Sequence, residues 1–166
     1  MLEGSTEELK KTKVTQPSIF IFSVILSKLL NKSFKPDAVA GHPLGEFSAL
    51  AAAEGISFSE GLLLVKKRAE AMHDACELTK GTMAAILGMK DKSVEDICNN
   101  VKEVVVAANF NCPGQVVISG EFNAVQNTCE KLIKEGAKRA ILLPVHGAFH
   151  SPLMNSAKKE LEKAIN

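Results

Sequence analysis

From Met83 to Pro144 short apolar runs take turns with segments whose hydrophobic residues recur at the period of a helix. Met83–Gly88, Val104–Phe110, Gln115–Ser119 and Lys138–Pro144 are short, mainly apolar runs that read as strands. Lys92–Val101 and Asn123–Lys134 instead repeat their apolar residues at helical spacing. Cys112-Pro113-Gly114 supplies the turn between the central strands. Strand, helix, strand, strand, helix, strand leaves few ways to close a core.

That order predicts a split βαβ, ferredoxin-like unit. Helical segments flank it on both sides. Ser18–Asn31 is predicted as a helix, with Pro17 in its first turn. The apolar stretch Ile19–Leu30 is interrupted by Ser23, Ser27 and Lys28, which predicts a buried helix too short to cross a bilayer. Phe34–Asp37 reads as a turn, Ala38–Gly41 as a short strand and Leu44–Ala53 as a small-residue helix. Ser57-Phe58-Ser59-Glu60 matches a capping box, opening a helix that runs to about Glu77. On it Leu64, Arg68 and Met72 share a face beside the stripe Val65, Ala69, Met72, Cys76, so Arg68 flanks the buried side. Ser151–Asn166 returns to a helix with Pro152 near its start. A small domain is thus predicted inside a larger one: 1–81 and 147–166 form the larger part and 82–146 the insert.

Gly41-His42-Pro43-Leu44-Gly45 joins the predicted strand to its helix. It has the outline of G-x-S-x-G, the turn that presents a nucleophilic serine in acyl-transfer enzymes. Pro43 stands where that serine would be. Taken alone, proline at the start of a helix needs no chemistry, because its fixed φ and missing N–H suit the position. Its ring also forbids the positive φ that such nucleophiles adopt. Ser48 lies well inside the helix and points elsewhere.

Twenty basic and nineteen acidic residues leave a net charge of +1, which argues against nucleic acid or a membrane surface as the main partner. Four cysteines without a C-x-x-C pair read as reduced thiols of a cytoplasmic protein.

The stretches TQPSIF, AGHPLGEFSALAAAEGISF, GTMAAILGM, ANFNCPGQVVISG, GAKRAILLPV and GAFHSPLM resemble, in order, the malonyl-CoA:acyl-carrier-protein transacylases of fatty acid synthesis and the related polyketide synthase acyltransferase domains. The resemblance implies an α/β fold: an α/β-hydrolase-like large subdomain, incomplete here, with the ferredoxin-like βαββαβ subdomain inserted. It also implies that the chain is the middle of a longer enzyme, lacking the family's first strand and PGQG loop.

In the family, the elbow serine takes a malonyl group from coenzyme A and passes it to the phosphopantetheine thiol of acyl carrier protein. The resemblance makes malonyl-CoA and the carrier protein the partners, with no cofactor and no metal. It assigns His150 as general base, Pro43 as the position of the serine, Leu44 as an oxyanion-hole amide and Arg68 as the anchor of the malonyl carboxylate. His42 and Phe149 are carried over as substrate-lining residues, and the Gly147–His150 segment matches the malonyl-type version. Without the serine, the expected consequence is loss of covalent transfer. Two other readings stay open: a non-catalytic remnant that binds acyl-CoA or carrier protein, and a serine hydrolase on a similar fold, which would have no use for a buried guanidinium.

Each residue has a plainer reading as well. Arg68 alone would suit a structural ion pair, His150 a loop position and His42 a structural role. His146 and His150 have a metal-like spacing, but Gly147 and Pro152 argue for a loop instead. Asn109 and Asn111 suit turn formation as well as a cleft lining. Lys66 and Lys67 suit a solvated face as well as the docking of an acidic carrier protein.

Overall fold

The computed structural model describes residues 4–9, 11–30, 33, 35–145 and 147–166. They divide into two compact units. One holds the described residues up to His73 together with Lys159–Asn166, and the other holds Asp74–Lys158.

The first unit is helical. α1 (Thr6–Leu9) is opened by a capping box missing from the sequence reading: Ser5 N–H donates to Glu8 Oε2 at 3.1 Å, and Glu8 N–H to Ser5 Oγ at 3.2 Å. α2 spans Thr12–Leu30, so it begins at Thr12 rather than Ser18 and Pro17 lies inside it. The Lys11 carbonyl explains the early start. It accepts the amides of Val14 and Thr15, both at 2.8 Å, and the Thr15 hydroxyl at 3.0 Å. The helix is therefore nucleated ahead of the proline.

The prediction that α2 is buried is also corrected. Gln16, Phe20 and Val24 are buried, while Ile19, Phe22, Ile25, Leu26, Leu29 and Leu30 are exposed. Gln16, Phe20 and Val24, at i, i+4 and i+8, form the buried stripe, and Ile21 packs beside it. Phe20 and Val24 meet Val65, with Leu44, Phe47, Ala51, Phe58 and Leu62 around them, and the Phe20 and Phe58 rings stack at 5.7 Å. By length and composition α2 is apolar enough to cross a membrane, contrary to the reading of its shorter apolar core.

α3 is Gly45–Ala52 and α4 is Phe58–Leu78, which runs on into the second unit. The α4 capping box forms as predicted, with Ser57 N–H donating to Glu60 Oε2 at 2.8 Å and Glu60 N–H to Ser57 Oγ at 3.2 Å. Ala38–Gly41 is not a strand. It has no ladder partner among the described residues, and a strand exists only through pairing. Of the expected turn at 34–37, position 34 lies outside the described residues and Asp37 is a bend.

The second unit is an antiparallel sheet in the order β2-β3-β1-β4, covered on one face by two helices. Its elements follow the chain as β1 (Gly81–Leu87), α5 (Asp91–Asn99), β2 (Val105–Cys112), β3 (Gln115–Glu121), α6 (Phe122–Lys134) and β4 (Arg139–Leu142). Register explains the core. Ala84 pairs with Ile118 and Ile86 with Val116, so alternate residues of β1 and β3 face the same side. There they meet Val94 and Cys98 of α5 and Val125 and Leu132 of α6. β2 and β3 are joined by Pro113-Gly114, since Cys112 pairs with Gln115. Gly114 has φ +78°, which with proline before it makes a type II turn. Beyond the sheet, Pro152–Met154 forms one 3₁₀ turn and α7 spans Asn155–Ile165.

Candidate active site

The elbow survives in outline without its strand. Gly41 approaches the helix start so closely that a Cβ there would collide with the backbone of Gly45 and Glu46. The Gly45 amide donates to the His42 carbonyl at 2.6 Å, closing the turn around Pro43 and Leu44. Leu44 caps α3 with helical backbone angles (φ −67°, ψ −35°), so its N–H belongs to the helix-start amides that lack an intrahelical acceptor. Pro43 is half-buried and His42 exposed. Among the described residues only Glu54 and His150 combine a side chain with positive φ, so position 43 does not adopt the strained elbow conformation. The Ser48 hydroxyl is buried without a hydrogen-bond partner among the described residues.

Arg68, on α4, is half-buried and reaches α2 in the same unit. Its Nη1 donates to Gln16 Oε1 at 2.5 Å, and Gln16 Nε2 donates to Met72 Sδ at 3.3 Å. Burial pulls the guanidinium below its ordinary value, while the charge of Glu46 on α3 pulls it back up. Glu46 acts through space, and no carboxylate among the described residues lies within ion-pair distance of Arg68. The structural ion pair, the plainer reading of this residue, is therefore not what the structure shows. Sequence reasoning passed over Gln16. Its signal was present, because Gln16, Phe20 and Val24 share one helix stripe and a polar member of an apolar stripe needs a partner.

His150 belongs to the second unit and has φ +60°. Ser151 holds the turn on which it sits. The Ser151 hydroxyl donates to the Ala148 carbonyl at 2.6 Å and accepts the Leu153 amide at 3.2 Å. Ala148 is buried, Phe149 half-buried and the His150 side chain exposed. Cys76 Sγ fills the space a side chain at Gly147 would need. His146 lies outside the described residues, and with it the question of a His146–His150 pair. Asn109 and Asn111 are not turn formers. Both lie in β2, because the turn needs only Pro113 and Gly114. Lys66 and Lys67 are exposed, with Lys66 in a 4.0 Å ion pair to Glu70.

Comparison with known proteins places these features. The family model for the acyl transferase domain matches residues 1–166. The malonyl CoA-acyl carrier protein transacylase of Bacillus subtilis is 42% identical, the match covering 100% of this chain and 54% of that protein. The transacylase of Staphylococcus aureus (strain COL) is 38% identical over the same shares. Among solved structures, the malonyl CoA-acyl carrier protein transacylase of Coxiella burnetii superposes with a TM-score of 0.92 at 38% identity, covering 98% of this chain and 53% of that one. A malonyl-transacylase in complex with a type II polyketide synthase acyl-carrier protein gives 0.94 at 37% identity, covering 98% and 54%. The chain spans about half the length of the relatives it matches. With its mixed helices and antiparallel sheet it has their α/β fold, and it belongs to the acyl transferase domain family.

Proposed function

We propose that this chain carries the malonyl-recognition machinery of a malonyl-CoA:acyl-carrier-protein transacylase, and that Pro43 leaves it without the nucleophile for covalent transfer. Arg68 carries the reading. A half-buried guanidinium hydrogen-bonded to a neutral amide keeps its charge and its remaining N–H groups for an anion, and the planar fork suits a carboxylate. The relatives' names supply the substrate class: malonyl-CoA carries such a carboxylate and acetyl-CoA does not.

The remaining roles follow residue by residue. The malonyl thioester would bind with its carboxylate on Arg68 and its carbonyl oxygen toward the Leu44 amide at the positive end of α3. Transfer requires a hydroxyl at position 43 that attacks the thioester carbon and gives up its proton to His150, expelling the coenzyme A thiolate. The ester would then pass to the phosphopantetheine thiol of the carrier protein. Proline offers neither an attacking atom nor a transferable proton. Phe149 and His42 line the substrate in this reading. The architecture proposed is an α/β-hydrolase-like subdomain, residues 1–81 and 147–166, into which a ferredoxin-like subdomain, residues 82–146, is inserted. The antiparallel order β2-β3-β1-β4 supports the second part.

Pro43 favours a second reading in the same terms, a non-catalytic member that binds acyl-CoA or carrier protein. Calorimetry with malonyl-CoA and acetyl-CoA tests the recognition that both readings share. Arg68→Ala should weaken malonyl-CoA binding by about 2–5 kcal/mol, as for truncating one partner of a buried charge pair, and leave acetyl-CoA nearly unchanged. Equal losses for the two ligands would make Arg68 structural and remove the basis of the proposal.

A further inference from the structure

Gln16 is 7% exposed, so its amide has left water and needs partners. It has one for each end, and they are unequal. The carbonyl oxygen accepts from the charged Arg68 Nη1 at 2.5 Å, whereas the NH₂ group donates to a thioether, a weak acceptor, at 3.3 Å. Only one amide orientation serves this arrangement, since the flipped amide would set its NH₂ against the guanidinium. Met72, four residues after Arg68 on α4, therefore holds the Gln16 carbonyl toward Arg68, and Phe20 and Val24 anchor the helix that carries it.

The choice of partner has an electrostatic consequence. An acidic residue at this position would form an ion pair and satisfy the guanidinium. The neutral amide spends one N–H, restricts the rotation of the fork and leaves the positive charge uncompensated at hydrogen-bond distance. Glu46, the carboxylate that acts on Arg68, does so from beyond ion-pair range.

We infer that Gln16 is a positioning residue for substrate selection: it fixes the Arg68 guanidinium without neutralising it, so that the site prefers an acyl group bearing a free carboxylate over a neutral one. This rests on the reading of Arg68 as the carboxylate anchor and adds the residue through which selectivity is set.

Titration calorimetry of the whole chain with malonyl-CoA and with acetyl-CoA separates the two claims. Gln16→Ala frees the guanidinium and should lower malonyl-CoA affinity on the order of tenfold, the lower end for losing a hydrogen bond to a charged group, with acetyl-CoA unchanged. Gln16→Glu keeps the side-chain volume, so it guards against a folding defect in the smaller variant. The carboxylate it introduces competes for Arg68, and malonyl-CoA affinity should fall at least as far as in Gln16→Ala while acetyl-CoA affinity holds. If Arg68→Ala abolishes the preference for malonyl-CoA but both Gln16 variants keep it, the positioning role is wrong and the anchor stands. Parallel losses for both ligands in the Gln16 variants would show a purely structural contact and overturn the inference. A preference untouched by Arg68→Ala would overturn the anchor and the inference together.

Discussion

Gly41 and Gly45 bracket the same five-residue turn and are not equivalent. At Gly41 an added methyl group would strike the backbone of Gly45 and Glu46, which cannot swing aside as a side chain can. At Gly45 it would meet nothing within 4 Å, and the residue is the first of α3. Gly41→Ala is therefore expected to destabilise by about 1–3 kcal/mol or more, the range of core overpacking. Gly45→Ala should be neutral or stabilise by up to ~1 kcal/mol, the helix-propensity difference. Urea unfolding of the two variants measures this directly, and a similar loss in both would mean that Gly41 does not touch the helix start. Both glycines were visible in the sequence as the frame of G-x-P-x-G, but their different burdens were not. Which of them carries the close approach depends on the path of the chain ahead of the turn, and no local pattern encodes it.

Helices α5 and α6 each place a thiol against the sheet. Burial pushes Cys98 and Cys129 up to about 11, and for Cys98 the neighbouring Cys129 adds to the effect. The folded values lie above the ordinary value of 9.0, so the folded chain keeps these protons longer than the unfolded chain does. The contribution to stability is complete below pH 9 and is lost as the pH rises from there through about 11. Unfolding free energy measured by urea titration should decline across that window, and Cys98→Ala with Cys129→Ala should flatten the decline; an unaltered slope in the double variant would place the titration elsewhere. These two helices were legible because each buries one face, and a one-sided face prints its period in the sequence. The strands were legible as short, mainly apolar runs. α2 was not. Apolar residues surround it, so composition hides which face packs, and its start is set by the Lys11 carbonyl rather than by Pro17. Ala38–Gly41 failed for the opposite reason: its residues suit a strand, but pairing is a property of a partner.

Taken whole, the chain pairs a helical unit that holds the elbow and Arg68 with a sheet unit that holds His150. The roles of Arg68, Leu44 and His150 came from resemblance, residue by residue. The structure adds what resemblance alone did not contain, namely the Gln16–Arg68–Met72 arrangement and the Ser151-braced turn at His150. Both link residues through side chains whose partners cannot be read from spacing alone. Pro43 sets the sharpest expectation, because everything proposed for recognition can persist while the bond-forming step has no atom to perform it. Intact-protein mass spectrometry after incubation with malonyl-CoA tests this most directly. The chain as it stands should show its unmodified mass at every time point, and a stoichiometric malonyl adduct that survives denaturation would contradict the account.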